Sequence, residues 1–326
     1  MSTGADTKPD VIFILGIMPR SGTNFLANLI CQHPDCTKGP MPEDGLVDQS
    51  ALLQTYTINH IRFWNEFADK VDFDFKQLLF SSIGDGLLNY LRDARTIIRK
   101  QKIQELKTAL PLPQSKYLVT KSPSVINAVN FFKLFPDQKL LIIVRDGRTV
   151  VESNHISFTK DYETEIKNWV KAAQEIMKFE QRWQNSSKPY LIVKYEDLHN
   201  NTAPEINKIL KFLDLDISKY NLESALNMPI TGSSDFKRGL GKVHWLPVEK
   251  TNDFDPINRT KHWSRMQHER FNWLAADELK YFDYKPKCYA GNKIWWKIWN
   301  VSIDLKVKFV KLLKKIRRLP HAIRMA

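Results

Sequence analysis

Cysteine is scarce in this 326-residue chain, which has three, at Cys31, Cys36 and Cys288. An odd, sparse set argues against a disulfide framework and fits a reducing compartment. Cys31, His33 and Cys36 lie close together, but their spacing matches no common zinc pattern and a fourth ligand is missing, so no metal site is expected. No run approaches the roughly 20 apolar residues of a membrane span. The opening MSTGADTKPD has no basic segment leading into an apolar one, so no signal peptide is expected and the chain reads as cytoplasmic. Internal repeats are missing as well. Hydrophobic content of 43% and charged content of 26% are ordinary for a globular protein, which argues against wholesale disorder.

Acid is what the C-terminal stretch lacks. Of the formal net charge of +13, Asn292–Ala326 carries +9, from ten Lys or Arg against one Asp. The first 291 residues hold 39 basic and 35 acidic side chains, a mild +4. In the tail, Ile294, Ile298, Val301, Leu305, Phe309, Leu312, Ile316 and Leu319 fall on one stripe at helical spacing, with Trp295, Trp296 and Trp299 at its start. Lys293, Lys297, Lys308, Lys311, Lys314, Lys315 and Arg318 lie mostly on the other side. An aromatic-led apolar face beside a dense basic one describes an interfacial helix on an anionic membrane. The competing expectation is a helix packed on the body with a solvated basic face. Nucleic acid is not expected as a partner, because no recognisable nucleic-acid module accompanies the charge.

Val11–Leu15 is a continuous apolar run, as a strand buried on both faces requires. A polar loop follows, Arg20-Ser21-Gly22-Thr23-Asn24, and then Phe25, Leu26, Leu29 and Ile30 at helical spacing. A strand, a glycine-containing loop and a helix N-terminus gather unpaired N–H groups and a favourable dipole, which together suit an anion. The loop lacks the signature of a nucleotide triphosphatase. Five residues instead of four separate Gly16 from Gly22, and Thr23 stands where the motif needs Lys.

Asp35–Gln54 reads as loop, and Leu52 to about Leu110 as mostly helix with Trp64, Phe67, Phe73 and Phe80 in the core. Further strands are expected at Lys116–Thr120, Lys139–Val144 and Tyr190–Val193. Helices are expected at Val125–Phe135, Thr149–Ser153, Glu163–Gln184 and Ala203–Phe212. Strands alternating with helices predict a doubly wound, mainly parallel α/β sheet with helices on both faces, resembling P-loop proteins. Ligands of such sheets sit beyond the carboxyl ends of the strands. Those ends carry PRSGTN, TKSP, VRDGR and KYEDL.

Together these loops resemble the sulfotransferases that use 3′-phosphoadenosine 5′-phosphosulfate (PAPS). PRSGTNF is similar to their 5′-phosphosulfate loop, which implies that Arg20, Ser21, Gly22, Thr23, Asn24 and Phe25 hold that end of the cofactor. VRDGR-x-V-x-E-S is similar to their 3′-phosphate motif, with Arg145 and Ser153 at its spacing. KYEDL implies Tyr195 beside the adenine, and Phe236-Lys237-Arg238-Gly239 resembles the basic segment that closes over the 3′-phosphate. The resemblance spans roughly residues 10–285 and is closer to the tyrosylprotein and bacterial carbohydrate branches than to the cytosolic phenol branch. The phenol branch carries a His base after the second-strand Lys, where this chain has Lys121-Ser122-Pro123.

The resemblance implies sulfuryl transfer from PAPS to a hydroxyl, without metal. Arg20 and Lys121 would stabilise charge, and Glu43 or His155 would serve as general base. The expected organisation is a catalytic domain over residues 1–291 and a basic amphipathic helix over 292–326. The expected acceptor is a carbohydrate, glycolipid or lipid-type hydroxyl, and the expected location is cytoplasmic, peripheral on the inner face of the membrane. Two rivals stay open: a P-loop kinase or NTPase, and a catalytically silent membrane or nucleic-acid adaptor.

Overall fold

The structure is a computed structural model that describes residues 10–65, 74–106, 115–234, 241, 243–250, 254–287 and 293–317. The chain divides into two compact units, Met1–Arg259 and Thr260–Ala326.

The first unit is built on a five-stranded parallel sheet in the order β2-β3-β1-β4-β5. Its strands are β1 (Asp10–Gly16), β2 (Cys36–Lys38), β3 (Tyr117–Ser122), β4 (Lys139–Val144) and β5 (Tyr190–Lys194). Its helices are α1 (Thr23–Ile30), α2 (Ser50–Asn65), α3 (Phe75–Leu106), α4 (Phe131–Leu134), α5 (Gly147–Phe158), α6 (Tyr162–Trp183), α7 (Tyr195–Asn200), α8 (Thr202–Phe212) and α9 (Leu222–Leu226). A short antiparallel pair, β6 (Ser233–Ser234) and β7 (Val243–His244), follows.

After their first residues, β1 and β4 at the centre are apolar because both of their faces are covered. Alternate residues point to opposite faces, and β1 shows this directly. Ile12 and Ile14 join Leu26, Leu29 and Ile30 of α1 and Ile206, Ile209 and Leu210 of α8 in one core. Phe13, between them, meets Phe131 at 5.1 Å and Phe135 at 4.7 Å on the other face. Phe132 carries that aromatic layer on to Phe179 of α6. Gly84 lets α3 lie directly against α4, since a Cβ there would come within 1.8 Å of the Leu134 carbonyl oxygen.

Two elements differ from the sequence expectation. Cys36–Lys38 is a short edge strand paired with β3 inside a stretch that reads as loop. The helix expected over Val125–Phe135 shrinks to a 3₁₀ turn at Ala128–Asn130 and one turn of α4, because Asn127 adopts a left-handed conformation at φ 60°. Phe80 is buried as expected; the side chains of Trp64, Phe67 and Phe73 lie outside the described residues.

The second unit contains α10 (Arg265–Tyr281) and α11 (Lys293–Arg317). Ser264 opens α10 with a capping box closed by Gln267. Buried Arg270 donates to Asp304 Oδ1 at 2.6 Å and to Asn300 Oδ1 at 3.2 Å, while Trp273 Nε1 reaches Asp304 Oδ2 at 3.0 Å. The face of α11 packed on α10 is therefore its polar one. Ile294, Ile298, Val301, Leu305 and Phe309 are all exposed. No helix among the described residues is long and apolar enough to cross a membrane.

Candidate active site

The carboxyl ends of β1 and β4 and the start of α7 enclose a cavity of about 380 Å³. At the end of β1, Met18–Ser21 turns through a hydrogen bond from Ser21 N to the Met18 carbonyl, 3.2 Å. Arg20 in this turn has φ 75°, a left-handed conformation that costs a non-glycine residue on the order of 1–3 kcal/mol. Its neighbours hold it there. Arg145 Nη1 donates to the Arg20 carbonyl at 2.6 Å, Arg20 Nε donates to Ser153 Oγ at 3.1 Å, and Arg20 Nη1 donates to the Gly232 carbonyl at 2.6 Å.

Gly22 caps α1 at φ 102° without a side-chain cap, and no acidic residue lies in the first turn of that helix. The first N–H groups of α1 are thus left for an anion. A Cβ on Gly22 would come within 2.4 Å of the Tyr195 ring, so only glycine lets the loop and the tyrosine meet.

Arg145 leaves β4 almost fully buried, its guanidinium 4.1 Å from the centre of the Tyr195 ring. Its Nη2 donates to the Pro256 carbonyl. Asp146 caps α5 by accepting from Arg148 N at 2.9 Å, and the Arg148 guanidinium folds back onto the same carboxylate at 2.6 Å. The second arginine of the RDGR sequence is therefore structural, and the first faces the cavity. Burial, followed by the Arg145 charge, pushes Arg20 down to about 10.

At the end of β3, Lys121 lies 3.6 Å from Glu43, and burial pulls its pKa below the usual lysine range. Glu43 lines the cavity with a half-exposed side chain. Its neighbour Asp44 is stitched to β3: Asp44 N donates to the Lys121 carbonyl at 3.0 Å and Thr120 Oγ1 donates to Asp44 Oδ2 at 2.7 Å.

The cavity wall brings together Arg20, Gly22, Thr23, Asn24, Phe25, Glu43, Arg145, Ser153 and Tyr195. Ser21 is buried just behind it, and Lys121 reaches it only through Glu43. His155 does not line it; its Nδ1 pairs with the Lys160 carbonyl at 2.8 Å and its ring stacks on Tyr162. Lys237, Arg238 and Gly239 lie outside the described residues. Among the described residues, no group of three or more His, Cys, Asp or Glu is placed to hold a metal ion. The opposite wall, Leu226–Ser233, Trp245, Lys250, Phe254, Pro256 and Arg259, carries no motif that sequence alone would single out.

A glycine-bearing loop at a helix N-terminus, with guanidiniums lining the same cavity, defines an α/β protein built to hold a polyanion. The match of residues 9–219 to the family described as "Sulfotransferase family" then places the chain: it belongs to the sulfotransferases. It is 27% identical over 218 residues to a putative protein-tyrosine sulfotransferase of Caenorhabditis briggsae, covering 65% of this chain and 68% of that one. Among solved structures it resembles the sulfotransferase domain of the Synechococcus PCC 7002 olefin synthase, with TM-score 0.46, 19% identity and coverage of 87% and 98%. It also resembles a mouse sulfotransferase complexed with PAP, with TM-score 0.42, 13% identity and coverage of 85% and 86%.

As a member of this family the protein transfers a sulfuryl group from PAPS to a hydroxyl-bearing acceptor. The residues present fit that donor. Ser21 Oγ and Arg145 Nε are buried polar atoms without a hydrogen-bond partner, and such groups normally find one. Bound PAPS would supply phosphate oxygens able to accept from such donors, and the sulfuryl group that is transferred.

Proposed function

We propose that this sulfotransferase acts at an anionic membrane surface on the hydroxyl of a glycolipid, carbohydrate or lipid-type acceptor. The observation that carries this reading is the outward apolar stripe of α11. Because α11 packs through Asn300 and Asp304, its Ile298, Leu305 and Phe309 face solvent at 64%, 61% and 59% exposure. Exposed Lys293, Lys297, Lys306 and Lys308 accompany the stripe. Each lysine near an anionic leaflet adds about 1 kcal/mol. A half-exposed Leu226 and a more exposed Trp245 on the cavity wall suit an acceptor with an apolar part.

In this reading Arg145 and Ser153 hold the 3′-phosphate, and Ser21 with the N–H groups of Thr23 and Asn24 holds the 5′-phosphosulfate. Tyr195 backs the adenine. Glu43 takes the proton of the acceptor hydroxyl as its oxygen forms the bond to sulfur, and Arg20 stabilises the phosphate oxygen released when the old S–O bond breaks. Lys121 holds Glu43 in place and neutralises charge on the sulfuryl group. Glu43 is preferred over His155 because it lines the cavity and His155 does not.

The triple substitution I298E/L305E/F309E tests the surface without touching the packed face. It should weaken binding to phosphatidylserine vesicles by about 10²-fold, and with it the sulfation of acceptors embedded in them, with a water-soluble acceptor still turned over; unchanged vesicle binding would sink the membrane reading. The name of the C. briggsae relative supports a second reading, a tyrosine hydroxyl in a protein. Labelled PAPS offered with glycolipid vesicles and with tyrosine peptides separates the two by which product carries the label.

A further inference from the structure

Arg259 lies more than a hundred residues from the loop at Arg145, outside every motif that marks this family in the sequence. It is nevertheless buried in the wall of the donor cavity, at 7% exposure. The segment before it, Phe254–Asn258, is tied to the β4–α5 junction. Arg145 Nη2 donates to the Pro256 carbonyl, and Thr149 Oγ1 donates to the Ile257 carbonyl at 3.1 Å. A turn in which Asn258 N donates to Asp255 Oδ1 at 3.0 Å precedes Arg259, whose Nη2 donates to Ser233 Oγ at 3.1 Å on the same wall.

Three guanidiniums, of Arg20, Arg145 and Arg259, thus converge on one small space. Burial first, and then the charges of Arg145 and Arg20, push Arg259 down to about 9; Tyr195 and Glu152 act in the other direction. Like charges held together in a low-dielectric wall are relieved by a ligand with more than one negative charge. Arg145 is the larger of the two neighbouring influences, and both anchors of the segment go to the β4–α5 junction. The third guanidinium therefore belongs with the 3′-phosphate side of the site.

We infer that Arg259 is a specificity-determining residue that, with Arg145, makes this pocket prefer a nucleotide carrying a 3′-phosphate over one without it. The inference rests on the assignment of the 3′-phosphate to Arg145 and Ser153 proposed above.

The test is calorimetric titration of the full chain with 3′,5′-bisphosphoadenosine and with 5′-AMP, for wild type, R259M, R259K and R145M. R259M should lose about 10- to 100-fold in affinity for the bisphosphate, the loss of a charged hydrogen-bonding partner, while 5′-AMP binding changes by less than about threefold. R259K, which keeps charge without the planar fork, should fall between. Equal losses for both nucleotides, or none for either, would overturn the inference. If R259M does not fold, R259K decides: a loss confined to the bisphosphate supports the inference, and equal losses or none overturn it. R145M separates the two levels. If the preference collapses in R145M and survives in R259M, only the role of Arg259 is wrong. If it survives in both, the 3′-phosphate assignment itself is wrong.

Discussion

The two units place their positive charge in opposite ways. In the first, Arg20, Arg145 and Arg259 are turned toward one cavity, and burial together with neighbouring guanidinium charge lowers both Arg20 and Arg259. In the second, Lys293, Lys297, Lys306 and Lys308 of α11 stand in solvent, and the buried cation Arg270 is matched to Asp304 at 2.6 Å. Guanidiniums in the cavity offer fixed forks that recognise one polyanion by geometry. Exposed ammonium groups on flexible stems offer a field that any anionic surface satisfies. The difference separates recognition from attraction within one chain.

The largest expected effect breaks the inner half of that contrast. Arg20→Met should lower kcat by about 10²- to 10³-fold in steady-state sulfation with labelled PAPS, as loss of a transition-state donor does. Next, I298E/L305E/F309E should reduce vesicle affinity by about 10²-fold in a sedimentation assay, with nucleotide binding unaltered. A third experiment compares the two halves directly. Raising salt from about 0.05 to about 0.5 M should weaken vesicle binding more than about tenfold and nucleotide binding far less, because exposed charges are screened and buried ones are not.

The smallest expected effect concerns a buried acid. Burial holds the Asp44 carboxyl above the usual range. Its contribution to stability is therefore present below the ordinary carboxylate pKa and is lost as pH rises through the raised value. Asp44→Asn removes this dependence. Its melting temperature relative to wild type should improve by about 2–4 °C between about pH 4 and 7, read by thermal melts.

Much of this was legible in the sequence because the governing signals are local. β4 runs over the very residues of the apolar run KLLIIV, and the strand-end loops arrive at one edge because a parallel sheet puts them there. Phe13 was legible as part of a strand buried on both faces, without its contact to Phe131. β2 was not legible: three residues ending in an exposed lysine carry no periodicity, and only pairing with β3 makes them a strand. The wall at Leu226–Ser233 and Phe254–Arg259 was hidden for another reason. Its residues are loop-like in composition, and Gly232 and Pro256 meet the site's arginines through carbonyls, which every residue type possesses. The Arg145–Pro256 and Arg20–Gly232 bonds carry no sequence signature.

Arg20 contributes a carbonyl to Arg145 and a guanidinium to Ser153, so one residue sits at the junction of the two ends proposed for the donor site. In an allosteric vocabulary, the two ends are coupled without any moving part. Substitutions at Arg145 and Arg20 should be strongly non-additive in a double-mutant cycle. On the proposed assignment, a donor stripped of its 3′-phosphate should react slowly as well as bind weakly, because Arg20 is held through bonds to Arg145 and Ser153. Evolving this enzyme toward a simpler donor would then require rebuilding the turn at Met18–Ser21 together with the pocket it borders.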